Sequence, residues 1–233
     1  MTSAPREQWA SRTGFVLAAI GSAVGLGNMW RFSYLAAENG GAAFVLLYVG
    51  MTAGIGLPVL LAELVLGRGA QGGPLRALAH FGGARWRPLG GLFVAAGFLI
   101  LGYYAVIAGW TLRYTVEAAW SGFPAAAAAH FGAIATGPAA IAWQLGFLAV
   151  TIAIVAGGVK AGIERASVVL MPLLFLIVAG LALYAATVDG ASAGYAYYLQ
   201  ADFSEVLSLT VLRDAAGQAF FSLSLGMGAM LTY

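Results

Sequence analysis

Cysteine does not occur among the 233 residues, so no disulfide framework holds the chain together and its redox compartment stays open. Charge is nearly as scarce. Charged residues make up 9% of the chain, against about 25% in ordinary soluble domains, and that shortage excludes the soluble class. Histidine occurs only at His80 and His130, in connections expected on opposite sides of the apolar spans, so no metal cluster forms from them. No nucleophile, base and orienting group converge anywhere along the sequence, and nothing argues for an enzyme. No long polar stretch leaves room for a soluble domain.

What fills the chain is apolar surface, 61% of all residues. A helix needs about 20 mostly apolar residues to cross a bilayer. Six stretches qualify, near 13–37, 42–66, 89–120, 139–158, 166–187 and 214–233. The chain therefore reads as one all-α integral membrane domain. Its opening, Met1 to Trp9, sets charge before an apolar run as a signal peptide does. That run is broken by glycine, carries Arg31 and is followed by further spans, so an uncleaved first helix fits better. If six spans alternate, Arg6, Arg12, Arg68, Arg76, Arg85, Arg87, Lys160 and Arg165 fall on one side. The other side carries Glu38, Glu117, Asp189, Asp202, Glu205 and Asp214, with Arg31, Arg113 and Arg213 as its cations. The positive-inside rule then puts the N-terminus in the cytoplasm of a multi-pass protein of the cell's inner (plasma) membrane.

The first span breaks in its own middle. Gly21-Ser22-Ala23-Val24-Gly25-Leu26-Gly27-Asn28 leads into Met29-Trp30-Arg31-Phe32, and glycine, asparagine and arginine each weaken a membrane helix or oppose its insertion. Unwound backbone survives in lipid only where protein buries it or a wet cavity receives it. A second apolar span is interrupted the same way in Phe220-Phe221-Ser222-Leu223-Ser224-Leu225-Gly226-Met227-Gly228. Taken alone, Gly21-x-x-x-Gly25 is a helix-packing face; together with Gly27, Asn28 and the second break it points to a transporter site for ions and polar solutes.

The connections carry less. Glu38-Asn39-Gly40-Gly41 is expected as a tight turn using glycine at positive φ. The basic stretch Gly67 to Pro88 is expected to hold a short surface helix around Leu75 to Phe81, and the alanine run from Ala126 to be helical. Lys160 to Arg165 is expected as a short inner turn, and Asp202 to Leu212 as an amphipathic helix outside the membrane.

Arg6-Glu7-Gln8-Trp9, Gly21 to Asn28 with Arg31-Phe32, Glu38-Asn39-Gly40-Gly41, Gly162-Ile163-Glu164-Arg165 and Gln218 to Gly228, in that order and spacing, resemble the neurotransmitter:sodium symporters, bacterial amino-acid branch. The resemblance covers essentially the whole chain and corresponds to the N-terminal half of such a protein. It implies the leucine-transporter fold, an inverted repeat with helices one and six broken. The first five-helix repeat would run over about 6–190, an outer connection over about 189–213, and span six over about 214–233. It implies a sodium-coupled symporter for neutral, hydrophobic or aromatic L-amino acids, working by alternating access in a lipid bilayer, with a homodimer as a further expectation.

Carried over residue by residue, the Ala23 carbonyl, Asn28 side chain and Ser222 hydroxyl would hold one sodium ion, and the Gly21 and Val24 carbonyls part of a second; the other ligands would lie beyond Tyr233. Neutral oxygens suit a hard cation without adding charge to the membrane. Gly25 stands where amine transporters of the family carry an aspartate, so the substrate should bring its own carboxylate. The outer half-helix from Leu26 and Gly27 would aim its amides at that group. Ile100, Tyr104, Phe221, Ser224 and Met227 would complete the substrate pocket, Tyr104 on the carboxylate and Phe221 as outer lid. Unaided, the Tyr103-Tyr104 pair reads as helix packing.

Glu63 sits inside an apolar span, where facing lipid would cost about 2.5 kcal/mol or more. It lies either near the headgroups or on amides freed at the breaks. Arg31 with Phe221 resembles the outer gate and Arg6 with Trp9 the inner gate, both paired with acids outside this sequence. Gln218 and Tyr48 match positions near the family's chloride site, whose use the resemblance ties to a residue of span seven. Ser22, Ser33 and Ser222 depart from the usual asparagine, proline and threonine; Ser222 keeps the oxygen. The alternative from another class is a truncated helical membrane module that transports nothing. A channel is disfavoured by the paired breaks and the lack of a filter motif.

Overall fold

A computed structural model describes residues 9–122, 124–204 and 206–233. Arg6 and Glu205, assigned above to the inner gate and the outer side, lie outside the described residues. Ser11 starts the first helix, its side chain accepting from the Gly14 N–H at 2.9 Å and satisfying one of the free amides of the first turn. This helix, α1 (Arg12–Ala23), stops where Val24 turns extended at φ −97°, ψ 104°. The second half, α2 (Gly27–Glu38), opens with a wider π-type turn over Gly27–Arg31 and is bent by 53° from α1. The expected first span is therefore two half-helices joined by a break.

Gly40 and Gly41, at φ 92° and 59°, turn the chain into α3 (Ala42–Ala70), which itself carries a π-type turn at Thr52–Gly56. Pro74 then starts α4 (Pro74–Gly82), where its missing N–H is no loss. The longest helix, α5 (Ala84–Ser121), follows, then α6 (Ala127–Ile134), α7 (Gly137–Ala156) and α8 (Val159–Ala185). A short exposed helix, α9 (Ala191–Leu199), precedes α10 (Leu209–Ser222), a second break, and α11 (Ala229–Thr232).

Two expectations are corrected. Lys160 to Arg165 is not a turn: the reversal falls on Gly157 and Gly158, the latter at φ 76°, and Val159–Glu164 already winds as the start of α8. Asp202 to Leu212 is not one amphipathic helix. The Asp202 N–H bonds the Gly40 carbonyl at 3.1 Å and its carboxylate takes the Ser204 N–H at 2.9 Å, an Asx turn that competes with helix. The bonds from Ser204 hold the Asp202 carboxyl below its usual range. The surface helix in this region is instead α9, upstream.

Glycine sets the closest approaches. A Cβ at Gly109 would lie 2.7 Å from the Gln144 amide nitrogen, so α5 and α7 meet backbone to backbone. Leu35, Ala36, Ala43, Phe44, Val206, Val211 and Ala215 form a buried cluster that ties α2 and α3 to α10. By contrast, at most 11% of the most apolar window of α3, α5, α7 or α8 is buried within the chain. Such surfaces require lipid or further helices against them.

Candidate functional site

At the first break the backbone finds its partners locally and across the fold. The Val24 N–H donates to Ile20 O at 2.7 Å and the Asn28 N–H to Gly25 O at 3.0 Å. The Asn28 amide nitrogen caps the Ala23 carbonyl at 2.7 Å, and the Gly27 N–H donates to the Tyr104 hydroxyl oxygen at 2.7 Å. A Cβ on Gly27 would stand 2.5 Å from Phe221 Cε1 and 3.1 Å from the Tyr104 oxygen. At Gly25 it would keep an ordinary 3.6 Å from that oxygen. Tyr104 and Phe221 pack with ring centroids 5.8 Å apart. Gly25, Leu26, Gly27, Tyr104 and Phe221 thus share one corner.

The second break unwinds through left-handed residues: Ser224 at φ 54°, Gly226 at 72° and Gly228 at 73°. Its freed Gly226 N–H donates to Glu63 Oε1 at 2.8 Å. Glu63 is 5% exposed, and among the described residues its Oε2 has no hydrogen-bond partner. Of the amides freed at the breaks, the one that reaches Glu63 is that of Gly226.

The two breaks are joined by a polar knot. Ser222 donates to Asn28 Oδ1 at 2.8 Å, while Gln218 Nε2 donates to Asn28 Oδ1 and to Ser222 Oγ, both at 3.2 Å. Arg31 donates to Gln218 Oε1 at 2.6 Å, so Gln218, wholly buried, links Arg31 to Asn28 and Ser222. Ala23, Asn28 and Ser222 are thereby brought together as neutral oxygens. Gly21 lies in the last turn of α1 before the same break, where its Cβ would meet the Met171 sulfur at 3.0 Å.

Met227 sits on Gly97, one turn below Ile100 on α5. Tyr48 packs its ring on Phe32 at 4.8 Å in the apolar cluster of α2 and α3. Trp9 donates from its indole to the Tyr233 carbonyl at 3.1 Å and meets the Tyr233 ring edge-on, with centroids 5.4 Å apart. Ser33 back-bonds to Met29 O at 3.0 Å.

Sequence reasoning missed Glu164. Buried at 6% exposure, it accepts the Ala10 N–H at 2.7 Å, the Ser11 N–H at 3.1 Å and the Ser11 hydroxyl at 2.8 Å. It therefore ties the N-terminus of α1 to α8, and a Cβ on Gly14 would overlap its carboxylate. Its place in Gly162-Ile163-Glu164-Arg165 made it part of the resemblance, but its partners, more than 150 positions away, gave it no role there.

The profile described as Sodium:neurotransmitter symporter family matches residues 6–133 and 126–233. The chain belongs to this family. Among its symporter relatives, the uncharacterized sodium-dependent transporter YhdH of Bacillus subtilis is 43% identical, over 97% of this chain and 51% of its own length. An uncharacterized sodium-dependent transporter of Methanocaldococcus jannaschii is 36% identical, over 100% of this chain and 50% of its own. The sodium- and chloride-dependent taurine transporter of Bos taurus is 29% identical, covering 97% and 43%. A solved structure, MhsT in complex with L-phenylalanine, superposes with a TM-score of 0.89 at 49% identity, over 98% of this chain and 53% of that one. The fold is that of the symporter family, the leucine-transporter fold with helices one and six broken. The chain spans about half the length of the curated relatives it matches.

Proposed function

We propose that this chain carries the ion- and substrate-holding breaks of a sodium-coupled symporter for neutral, hydrophobic or aromatic L-amino acids. The observation that carries the reading is the meeting of the Ala23 carbonyl, Asn28 amide and Ser222 hydroxyl beside the Gly25–Gly27, Tyr104 and Phe221 corner. All three oxygens are neutral, and rotation of the Ser222 hydroxyl turns it from donor to acceptor, the chemistry a hard monovalent cation asks for. Gly21 and Val24 would contribute to a second sodium ion. The substrate supplies the carboxylate that Gly25 lacks. An ion and a solute sharing one site raise each other's affinity, which is the basis of coupling.

Names of relatives support the ion, and the L-phenylalanine bound to MhsT supports an apolar amino acid as solute. Ile100 and Met227 would line the side-chain pocket, Phe221 and Arg31 would close it outside, and Trp9 with Arg6 would close it inside. The first repeat is assigned to about 6–190 and the start of the second to about 214–233, in an inner (plasma) membrane with the N-terminus cytoplasmic. Uptake of L-phenylalanine by the whole protein in proteoliposomes should require sodium. Equal uptake with choline or potassium in its place would overturn the assignment.

A further inference from the structure

Four arginines gather where two spans end. Arg68 lies in the last turn of α3, Arg76 on α4, and Arg85 and Arg87 at the start of α5. All four are exposed, and none is ion-paired among the described residues. From Leu64 to Val116 the sequence holds no aspartate or glutamate to neutralise them. Large apolar side chains share this surface: Leu75 is 36% exposed, Phe81 55% and Trp86 45%. Packing fixes the elbow in place. A Cβ on Gly90 would lie 2.6 Å from Leu75 Cα, so α4 rests backbone to backbone on the start of α5, and its buried Ala77 joins Ala70 and Leu231. Both α3 and α5 are long and apolar enough to cross a bilayer, so the short helix that joins their ends sits at the level of the lipid headgroups.

Cations clustered beside a spanning helix attract an anionic leaflet, and a guanidinium fork matches phosphate with two parallel bonds. Exposed aromatic rings at that level settle between headgroup and acyl chain. The far ends of the helices differ, because there Arg113 pairs with Glu117 and Arg213 with Asp214 inside the chain. We infer that the elbow of α3, α4 and α5 binds anionic phospholipid, with Arg68, Arg76, Arg85 and Arg87 on headgroup phosphates and Leu75, Phe81 and Trp86 against acyl chains.

The test titrates the whole protein in detergent with dioleoylphosphatidylglycerol and, separately, dioleoylphosphatidylcholine, and counts bound lipid by native mass spectrometry. The anionic lipid should bind about tenfold more tightly. Arg68→Gln, Arg76→Gln, Arg85→Gln and Arg87→Gln together should abolish that preference, whereas Arg165→Gln, an exposed cation at the start of α8, should leave it intact. On the unsubstituted protein, raising the salt concentration should erode it, a check that needs no variant. Equal binding of the two lipids, a preference that ignores salt or survives the four substitutions, or an equal loss from Arg165→Gln would overturn the proposal. So would competition by soluble glycerophosphoglycerol as effective as that of the lipid, which would mean a phosphate-ester site without a bilayer partner.

Discussion

At Gly27 a single missing carbon lets Phe221 and Tyr104 close on the first break. Gly27→Ala would place a methyl 2.5 Å from Phe221 Cε1, and overpacking of this kind costs about 1–3 kcal/mol. L-Phenylalanine binding is expected to weaken by about tenfold or more, measured at equilibrium; unchanged affinity would contradict the packing of this corner. Ser222→Ala removes an oxygen that can face an ion, and loss of about 1 kcal/mol corresponds to a severalfold higher sodium concentration at half-saturation. An unchanged sodium titration would sink that role. Glu63→Ala strips the Gly226 N–H of its acceptor, and an unsatisfied buried amide costs about 1–3 kcal/mol. Thermal unfolding in detergent should fall measurably, and an unchanged midpoint would show that the second break holds itself. Gly25, Gly27, Asn28 and Ser222 were legible because glycine and polar groups inside apolar runs are anomalous by themselves. The bonds made by Glu164, and that between Ser22 and Ser224, were not, since the partners lie 153 to 202 positions apart with no local signal.

Between elements, the anchor of α1 on α8 is the joint most exposed to a single change. Glu164 accepts three bonds from Ala10 and Ser11, and Ser11 relays to the Gly14 N–H. Gly14→Ala would push a methyl into that carboxylate. Amide exchange over residues 10–14 should then accelerate by about tenfold or more, since several bonds are lost together. Exchange at the unsubstituted rate would contradict the anchor. The long spans and the tight Gly40–Gly41 turn were readable from composition and glycine placement. The start of α8 was not, because Gly157 and Gly158 take the reversal and leave Gly162 inside the helix, packed on Ile154. Nor was the extended path at Asp202, which depends on its bond to Gly40.

For the whole molecule, apolar faces dominate: α3, α5, α7 and α8 bury at most 11% of their most apolar windows within this chain. Those faces belong against lipid or further helices, and the chain spans about half the length of its curated relatives. The two breaks are the polar exception, and they meet each other rather than the exterior through Asn28, Ser222, Gln218 and Arg31. Under the proposed function, an ion and an amino acid sharing this junction would be thermodynamically linked. The most direct measurement is the affinity of the whole protein for L-phenylalanine across a sodium titration at constant ionic strength. Affinity that rises with sodium, and an equal rise in sodium affinity when L-phenylalanine is added, is the predicted result; L-phenylalanine affinity independent of sodium would contradict a shared site.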